Sequence, residues 1–526
     1  MAEAAGWQPT RSAAGSGGPW LMTGVISIAT FMEILDTSIA NVSLNNIAGD
    51  LGVSLNEATW LVTSYLVANA IIIPISGFLS RAIGRKRYFM ISIALFTGAS
   101  FLCAIAPNLA FLIIARIFQG VGGGGLAPVE QSMITDSFPP QKRGQAFAAF
   151  GLVVVVAPII GPTIGGYITD TISWHWIFFL NVPIGILALF LVSIVTVEPE
   201  VLLRERAERL KRGLKVDYMG FILATIGLSG LLITLDRGQE ENWFSSNLII
   251  ITTTMAVVGL IAMVVWESLH EDPIVPLPLL RIPNFAISTG MMMLLGLLVF
   301  GTIQIIPQML QEVFGYTAYD AGLALTYGGV IAIVMMPLTG LFTSKVDARL
   351  LLFPAFAMQA FAFWHFAQFS TASTFGEAAW GRFYMSVALP FLFIPVNTVA
   401  YVGLPPGDSD KASAMLNFFR NLGGAFGISI AQTLLVRREQ LHQWRLTEGL
   451  NPLNPLYNIQ LHKMTEYLGT KGRALGVLYQ SVQQQAAMMS YVDVFWALMW
   501  GVIIVLPFIP FLKTAHGPGE SPPPAH

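Results

Sequence analysis

The sequence predicts an all-α, polytopic membrane protein with fourteen spanning helices, arranged as two six-helix bundles with two helices inserted between them. Three observations lead there. Only 28 of the 526 residues are Lys or Arg and 30 are Asp or Glu, so 11% of the chain is charged and 54% is apolar, against about 25% charged in soluble domains. The apolar residues fall in runs of the length a bilayer requires, about 20 residues of helix. Basic residues return at alternate connections between those runs, as retention of positive charge on the cytoplasmic side demands. A water-soluble enzyme is excluded. A formal net charge of −2 gives no basis for nucleic-acid binding, and the single Cys103 excludes a disulfide framework and a cysteine metal cluster.

Taken in order, residues 1–20 are an Ala-, Gly- and Ser-rich cytoplasmic tail. The apolar run behind it is longer than a signal-peptide core and lacks a basic cluster before it, so it is the first span. Six spans (21–44, 58–80, 88–106, 109–135, 144–168 and 174–196) make an N-terminal bundle over 21–196. A charged cytoplasmic linker, 197–217, leads to two inserted spans, 218–236 and 247–267, within 218–267. Six more (284–311, 319–343, 349–368, 378–401, 411–436 and 491–513) make a C-terminal bundle over 284–513, with a long external connection at 437–490. The proline-rich stretch 514–526 cannot build a core and is a disordered cytoplasmic tail.

Orientation follows from the basic residues. Arg11, the cluster Arg81, Arg85, Lys86 and Arg87, the pair Lys142 and Arg143, the linker, then Arg281, Lys345, Arg349, Lys411 and Lys513 all fall on one side, while the short connections opposite hold only Arg237. Both termini are therefore placed in the cytoplasm. The connection 437–490 is placed outside despite its basic residues, because long loops translocate largely regardless of charge, and within it 437–444 and 475–489 have helical composition, separated by the helix-breaking Asn451-Pro-Leu-Asn-Pro455. An internal repeat supports two related bundles. Pro74-x-x-Gly77 recurs as Pro337-x-x-Gly340, an offset of 263 residues (337 minus 74), Arg116 is echoed by Arg382, and Lys142 by Lys411. Such repeats are the trace of a transporter with a central cavity.

The run Gly77-Phe-Leu-Ser-Arg81-Ala-Ile-Gly84-Arg85-Lys86 resembles the loop signature of the major facilitator superfamily. Leu35-Asp36-Thr-Ser-Ile-Ala-Asn41, Ala115-Arg116-x-x-Gln119-Gly120, Ala157-Pro-Ile-Ile-Gly161-Pro162-x-x-Gly165-Gly166 and Trp174-His-Trp-Ile-Phe-Phe-Leu-Asn181-Val-Pro183-Ile-Gly185 resemble its fourteen-span drug:proton antiporters. The resemblance runs from about residue 21 to 513. It implies the major facilitator fold, multidrug efflux from the inner membrane of a Gram-negative bacterium driven by the proton gradient, and no cofactor. It also implies an EmrA-like periplasmic adaptor and a TolC-like outer-membrane channel as partners. One departure stands out: Arg81 occupies the place where the family's loop usually has an aspartate, so the gating role of that carboxylate is not carried over. Gly77, Arg85 and Lys86 do match, either as gate residues or as a plain topology signal.

Asp36 lies inside the first span, where a carboxylate costs about 2.5–3.5 kcal/mol on insertion scales. Dehydration favours a neutral carboxyl and a nearby cation favours an ionised one, so a change of surroundings loads and releases a proton. Glu33, three residues earlier on nearly the same helical face, shares or replaces that role; either carboxylate can instead simply line a wet cavity. Arg116 in span four is the natural partner, and in the resembling family it belongs to the proton relay; a purely structural pairing is the alternative. Arg382 reads as structural. Arg420 either contacts substrate or holds its span to a neighbour. In span five, Gly161 and Gly165 permit close helix packing while Pro158 and Pro162 bend the helix; by resemblance this motif seals the outward path.

Gly120-Val-Gly122-Gly-Gly-Gly125 satisfies a dinucleotide-binding pattern, but with no strand before it the glycines read as helix packing. The histidines lack metal-ligand spacing, and no catalytic motif is present. Asn69, Gln131, Gln304, Gln308 and Asn397, with Arg420, are the candidates for substrate contact. The sequence thus points to a proton-coupled exporter of hydrophobic compounds. A dedicated exporter of a metabolite, lipid or siderophore, a non-transporting receptor or scaffold, and, least favoured, an intramembrane hydrolase or acyltransferase remain as alternatives.

The topology is checked by labelling single cysteines in intact cells in a Cys103→Ser background. An impermeant reagent should reach a cysteine at 460 and miss cysteines at 208 and 520. Labelling at 208 would invert the map.

Overall fold

The computed structural model describes residues 18–198, 203, 217–270, 273–405 and 408–512. The terminal tails and most of the charged linker lie outside the described residues. Among the described residues the regular structure is helical, and the helices follow the apolar runs. In the first half they are α1 (Gly18–Val42), α2 (Trp60–Ile83), α3 (Arg85–Ala104), α4 (Leu109–Gly123), α5 (Leu126–Ser137), α6 (Pro140–Thr171) and α7 (Asn181–Val195). The inserted pair is α8 (Tyr218–Arg237) and α9 (Asn247–Leu269). The second half has α10 (Pro283–Glu312), α11 (Ala318–Thr343), α12 (Ala348–Phe366), α13 (Phe375–Ala400), α14 (Ser409–Glu448), α15 (Pro455–Leu468) and α16 (Lys471–Val505).

Twelve helices among the described residues are long and apolar enough to cross a membrane, α4 and α5 counting together as one broken span. With α12 and the more polar α14 added, the long helices fall in the order of the fourteen predicted spans. Local chemistry sets their ends. Asn108 accepts a hydrogen bond from the Phe111 amide at 2.9 Å to start α4, and Asp217 accepts from Gly220 at 2.8 Å to start α8. Thr374 and Glu377 form a capping box that starts α13. Between α2 and α3 the chain turns at Gly84 with φ +101°, a conformation open to glycine and costly for other residues.

The two halves meet along two seams, α2 against α14 and α6 against α11, and α8 of the inserted pair leans on α2. The repeated proline-glycine motif explains both seams. A β-carbon on Gly77 would lie 3.0 Å from the Asp410 carbonyl oxygen of α14, and one on Gly340 would lie 3.0 Å from the Gly144 carbonyl oxygen of α6. Each half thus contributes one glycine at which the other half approaches backbone to backbone.

The stretch 437–490 carries the helices expected at 437–444 and 475–489, and both are continuous with the flanking spans. α14 runs on to Glu448 and α16 begins at Lys471, with α15 between them. Polar side chains hold its base to the second half: His442 to Asp493 at 2.9 Å, Tyr491 to Glu312 at 2.8 Å, and Gln484 to the Val313 carbonyl at 2.7 Å. The break falls at Gly449–Asn454, beside the Asn451-Pro-Leu-Asn-Pro455 sequence that cannot continue a helix.

Candidate functional site

A cavity of about 1880 Å³ lies between the halves. Its lining reaches connection residues at one end, among them Asn45, Asn46, Gln239 and Asn242, while none of the basic turn Arg81–Arg87 contributes. The molecule is therefore open at the end away from the basic turns and closed at the basic end.

Arg85 closes that end. Its guanidinium is buried and reaches Asp410 on α14 through Nε at 2.8 Å, Ser409 through Nη2 at 3.0 Å, and Asp136 on α5 through Nη1. Ser132 donates to Oδ1 of the same Asp410 carboxylate, and Glu198 accepts from the Arg85 amide at 2.8 Å. One arginine of the first half is thus clamped by a carboxylate from each half. One layer deeper, Asn417 of α14 donates to Gln131 of α5 at 2.7 Å. Lys86 does something different: it donates to the carbonyls of Ser193 and Thr196, at 2.7 and 2.6 Å, capping the end of α7 within its own half.

Asp36 and Arg116 come together, buried beside the cavity and absent from its lining. Arg116 Nη1 lies 2.6 Å from Asp36 Oδ2, and Asp36 Oδ1 accepts from Gln119 at 2.9 Å and Asn181 at 2.6 Å. Arg116 also donates to Gln119 Oε1 at 2.6 Å and to the Leu61 carbonyl, and its guanidinium stacks 4.2 Å over the Tyr65 ring. The carboxylate is thereby fully supplied with donors and charge. Glu33, one turn away, lines the cavity and accepts from Asn69 at 3.1 Å and Tyr65 at 3.2 Å. Tyr65 touches both groups, joining the cavity-facing carboxylate to the buried pair.

Span five packs as its sequence requires. A β-carbon on Gly161 would lie 2.6 Å from Ser38 Cβ, and one on Gly165 would lie 2.7 Å from Ile39 Cγ2. Pro162 has no N–H to give the Pro158 carbonyl, and Ser38 of α1 donates to that carbonyl instead, at 3.2 Å. The motif thus ties α6 to the turn of α1 that follows Asp36. Gly120, Gly122 and Gly124 lie against α2 and α3, where a side chain would collide with backbone.

Of the substrate candidates, Asn69, Gln304, Gln308 and Arg420 line the cavity. Gln131 and Asn397 are corrected. Gln131 is buried at the closed end against Asn417, and Asn397 is buried against its own helix, donating to the Phe393 carbonyl at 3.0 Å. Gln131 thus joins two helices, and Asn397 also meets the Met292 sulfur of α10 at 3.7 Å. Sequence reasoning missed three carboxylates: Asp136 and Asp410, which stand in ordinary helix-end positions, and Glu130, a fully buried residue of α5 that accepts from Ser27 and Thr30 of α1. A carboxylate in an apolar span was the available signal for Glu130.

The Major Facilitator Superfamily profile matches residues 26–428. The chain is 41% identical over 509 residues to the multidrug export protein EmrB of Escherichia coli K12, covering 96% of this chain and 98% of that one. It is 38% identical to EmrB of Haemophilus influenzae, covering 94% and 96%, and 38% identical to the probable multidrug resistance protein EmrY of Escherichia coli K12, covering 95% and 97%. Among solved structures, the proton:xylose symporter XylE bound to 6-bromo-6-deoxy-D-glucose aligns over 94% of this chain and 96% of its own, with a TM-score of 0.59 at 15% identity.

Proposed function

The chain belongs to the major facilitator superfamily, and from that premise we propose that it exports hydrophobic, chemically varied compounds across a bacterial inner membrane in exchange for protons. It is a multi-pass transporter rather than an enzyme. The observation that carries the coupling is the buried Asp36–Arg116 pair standing one helical turn from the cavity-facing Glu33.

On this reading the open end faces the periplasm and both termini lie in the cytoplasm. A proton entering the cavity meets Glu33 first and passes by way of the Tyr65 hydroxyl region to Asp36. Protonation removes the charge that holds Arg116 Nη1, leaving the guanidinium with Gln119, the Leu61 carbonyl and the Tyr65 ring. α1 is then free to shift against α4, and because Ser38 ties α1 to α6 at Pro158, that shift reaches the seam between α6 and α11. With the halves reclosed at the outer end, the proton leaves to the cytoplasm and the cavity takes up its next cargo from that side.

Proteoliposomes loaded with a fluorescent drug test the coupling. Asp36→Asn should retain downhill exchange and lose accumulation driven by ΔpH, because only the second process needs net proton movement. Accumulation that survives Asp36→Asn and fails in Glu33→Gln would move the proton site to Glu33. Absence of proton-driven movement in the unmodified protein would leave a receptor or scaffold as the better reading.

The helical extension is the docking element for an EmrA-like periplasmic adaptor that leads on to a TolC-like outer-membrane channel. What supports this is exposure. Leu453, Leu456, Ile459 and Tyr467 at the tip, with Trp444 and Tyr479 on the flanking helices, present apolar and aromatic surface to solvent while the base of the hairpin is fastened to the second half. Deleting 450–472 should abolish co-purification of the adaptor and lower drug resistance while leaving exchange in liposomes intact. Retained co-purification would make the extension a cap of the transporter alone.

A further inference from the structure

Glu130 is the buried acid that the exchange cycle leaves unused. Among the described residues of the first half it and Asp36 are the two buried carboxylates, at 0% and 2% exposure respectively for Glu130 and Asp36, and their surroundings are opposite. Asp36 has Arg116 at 2.6 Å. Glu130 has no cation: Ser27 meets its Oε1 at 2.5 Å, Thr30 meets its Oε2, and Glu33 of α1 is the one charge among the described residues that acts on it.

The charged groups on the other helices around α5 are occupied elsewhere. Arg85 holds Asp136 and Asp410, and Arg116 of α4 holds Asp36. Arg143 of α6 donates to the Thr135 and Phe138 carbonyls at 3.0 and 3.3 Å, and Arg81 of α2 donates to the Gly77 carbonyl at 3.0 Å. Arg420 of α14 lines the cavity, and the Tyr88 hydroxyl of α3 stands against Gly125. Burying an ionised carboxylate with no counter-charge is far costlier than burying the neutral acid. A hydroxyl accepts as readily as it donates, so Ser27 and Thr30 fit a protonated carboxyl that gives a hydrogen bond to one and takes one from the other.

Position gives that proton a route. Ser27, Thr30 and Glu33 follow at three-residue steps along one face of α1, which puts Glu130 level with the turn before the cavity-facing Glu33. On α5 it lies one turn beyond Ala127, which lines the cavity, and its next neighbours Gln131 and Ser132 bond Asn417 and Asp410 of the other half. Glu130 thus stands between the cavity floor and the Arg85 clasp, at the level where water arrives once the basic end opens.

We propose that Glu130 carries a second exchangeable proton, held while the cavity faces outward and given up when the basic end opens, so that each cycle exchanges two protons for one cargo. The proposal rests on the proton-exchange reading and adds its stoichiometry. The proton enters at Glu33 and reaches Glu130 through the Thr30 hydroxyl, which passes one hydrogen on as it takes another. On release it goes to water admitted as α14 parts from α5. Asp36, paired with Arg116, takes its own proton at a separate step.

The test is the drug gradient at which net flux reverses in proteoliposomes of the full-length protein, with ethidium as cargo and the membrane potential clamped at zero. With a pH gradient of about one unit each exchanged proton balances about tenfold in ethidium, so the unmodified protein should reverse at about a hundredfold gradient and Glu130→Gln at about tenfold. Glu130→Asp, which keeps an acid, should return toward the unmodified value. Infrared spectra of the protein in nanodiscs give a readout without transport: a protonated-carboxyl C=O band, shifted in D2O, should be present at neutral pH, lost in Glu130→Gln and kept in Asp36→Asn. Absence of that band, or reversal of Glu130→Gln at the unmodified gradient, overturns the proposal and leaves exchange through Asp36 standing. Complete loss of flux in Glu130→Gln that Glu130→Asp does not restore marks a packing role and overturns it too. Absence of proton-driven flux in the unmodified protein overturns the exchange reading and this stoichiometry with it.

Discussion

A cation removed from water must find its counter-charge inside the protein, and at the closed end of this molecule that demand joins the two halves. Arg85 belongs to the first bundle, yet one of its two carboxylates, Asp410, belongs to the second. The approach is possible because Gly77 presents no side chain to the Asp410 backbone, and Gly340 does the same for α6 at the symmetry-related seam. Small residues bring the backbones together and the charge fixes the pairing. Everything above this layer, including an 1880 Å³ cavity open at the other end, depends on its staying shut.

Charge accounting organises the upper layers as well. In the first half Asp36 and Arg116 pair behind the cavity wall, joined through Tyr65 to Glu33, which faces the cavity with two neutral donors. The second half repeats the arginine and omits the acid. The two-fold repeat is therefore unbalanced in charge: the first half buries an ion pair, and the second sets its arginine in the cavity wall without one among the described residues. α1 connects the layers, since Ser27 and Thr30 bind Glu130, Glu33 faces the cavity, Asp36 holds Arg116 and Ser38 binds α6 along a single helix.

Much of this was legible in the sequence because bilayers impose simple rules. Length and composition select the spans, alternate basic turns order them, and a carboxylate such as Asp36 in an apolar run stands out against its surroundings. The pairing with Arg116 was equally readable, since a buried ion needs a partner. What the sequence did not disclose was contact across the halves. Asp136 and Asp410 lie at helix ends, where carboxylates are common; the packing of α2 on α14 brings Asp410 across to Arg85, and Asp136 reaches it from α5 of the same half. Gln131 and Asn397 failed as cavity candidates because a polar residue in a span has two uses, lining water or bonding a neighbour, and the helix face that decides between them depends on tertiary packing. The helices at 437–444 and 475–489 were readable from composition, but their continuity with the spans of α14 and α16 was not, since polar residues there mark the end of each apolar run.

A clasp at Arg85 that holds the basic end closed has to release before that end can open. Spin labels at exposed Lys142 and Lys345, on the facing ends of α6 and α11, report this separation directly by double electron–electron resonance. With no ligand added, the unmodified protein should give one short distance, and the double neutralisation Asp136→Asn/Asp410→Asn should add a population at longer distance as the basic end opens. An unchanged distance distribution in that variant would show that the clasp does not hold the gate.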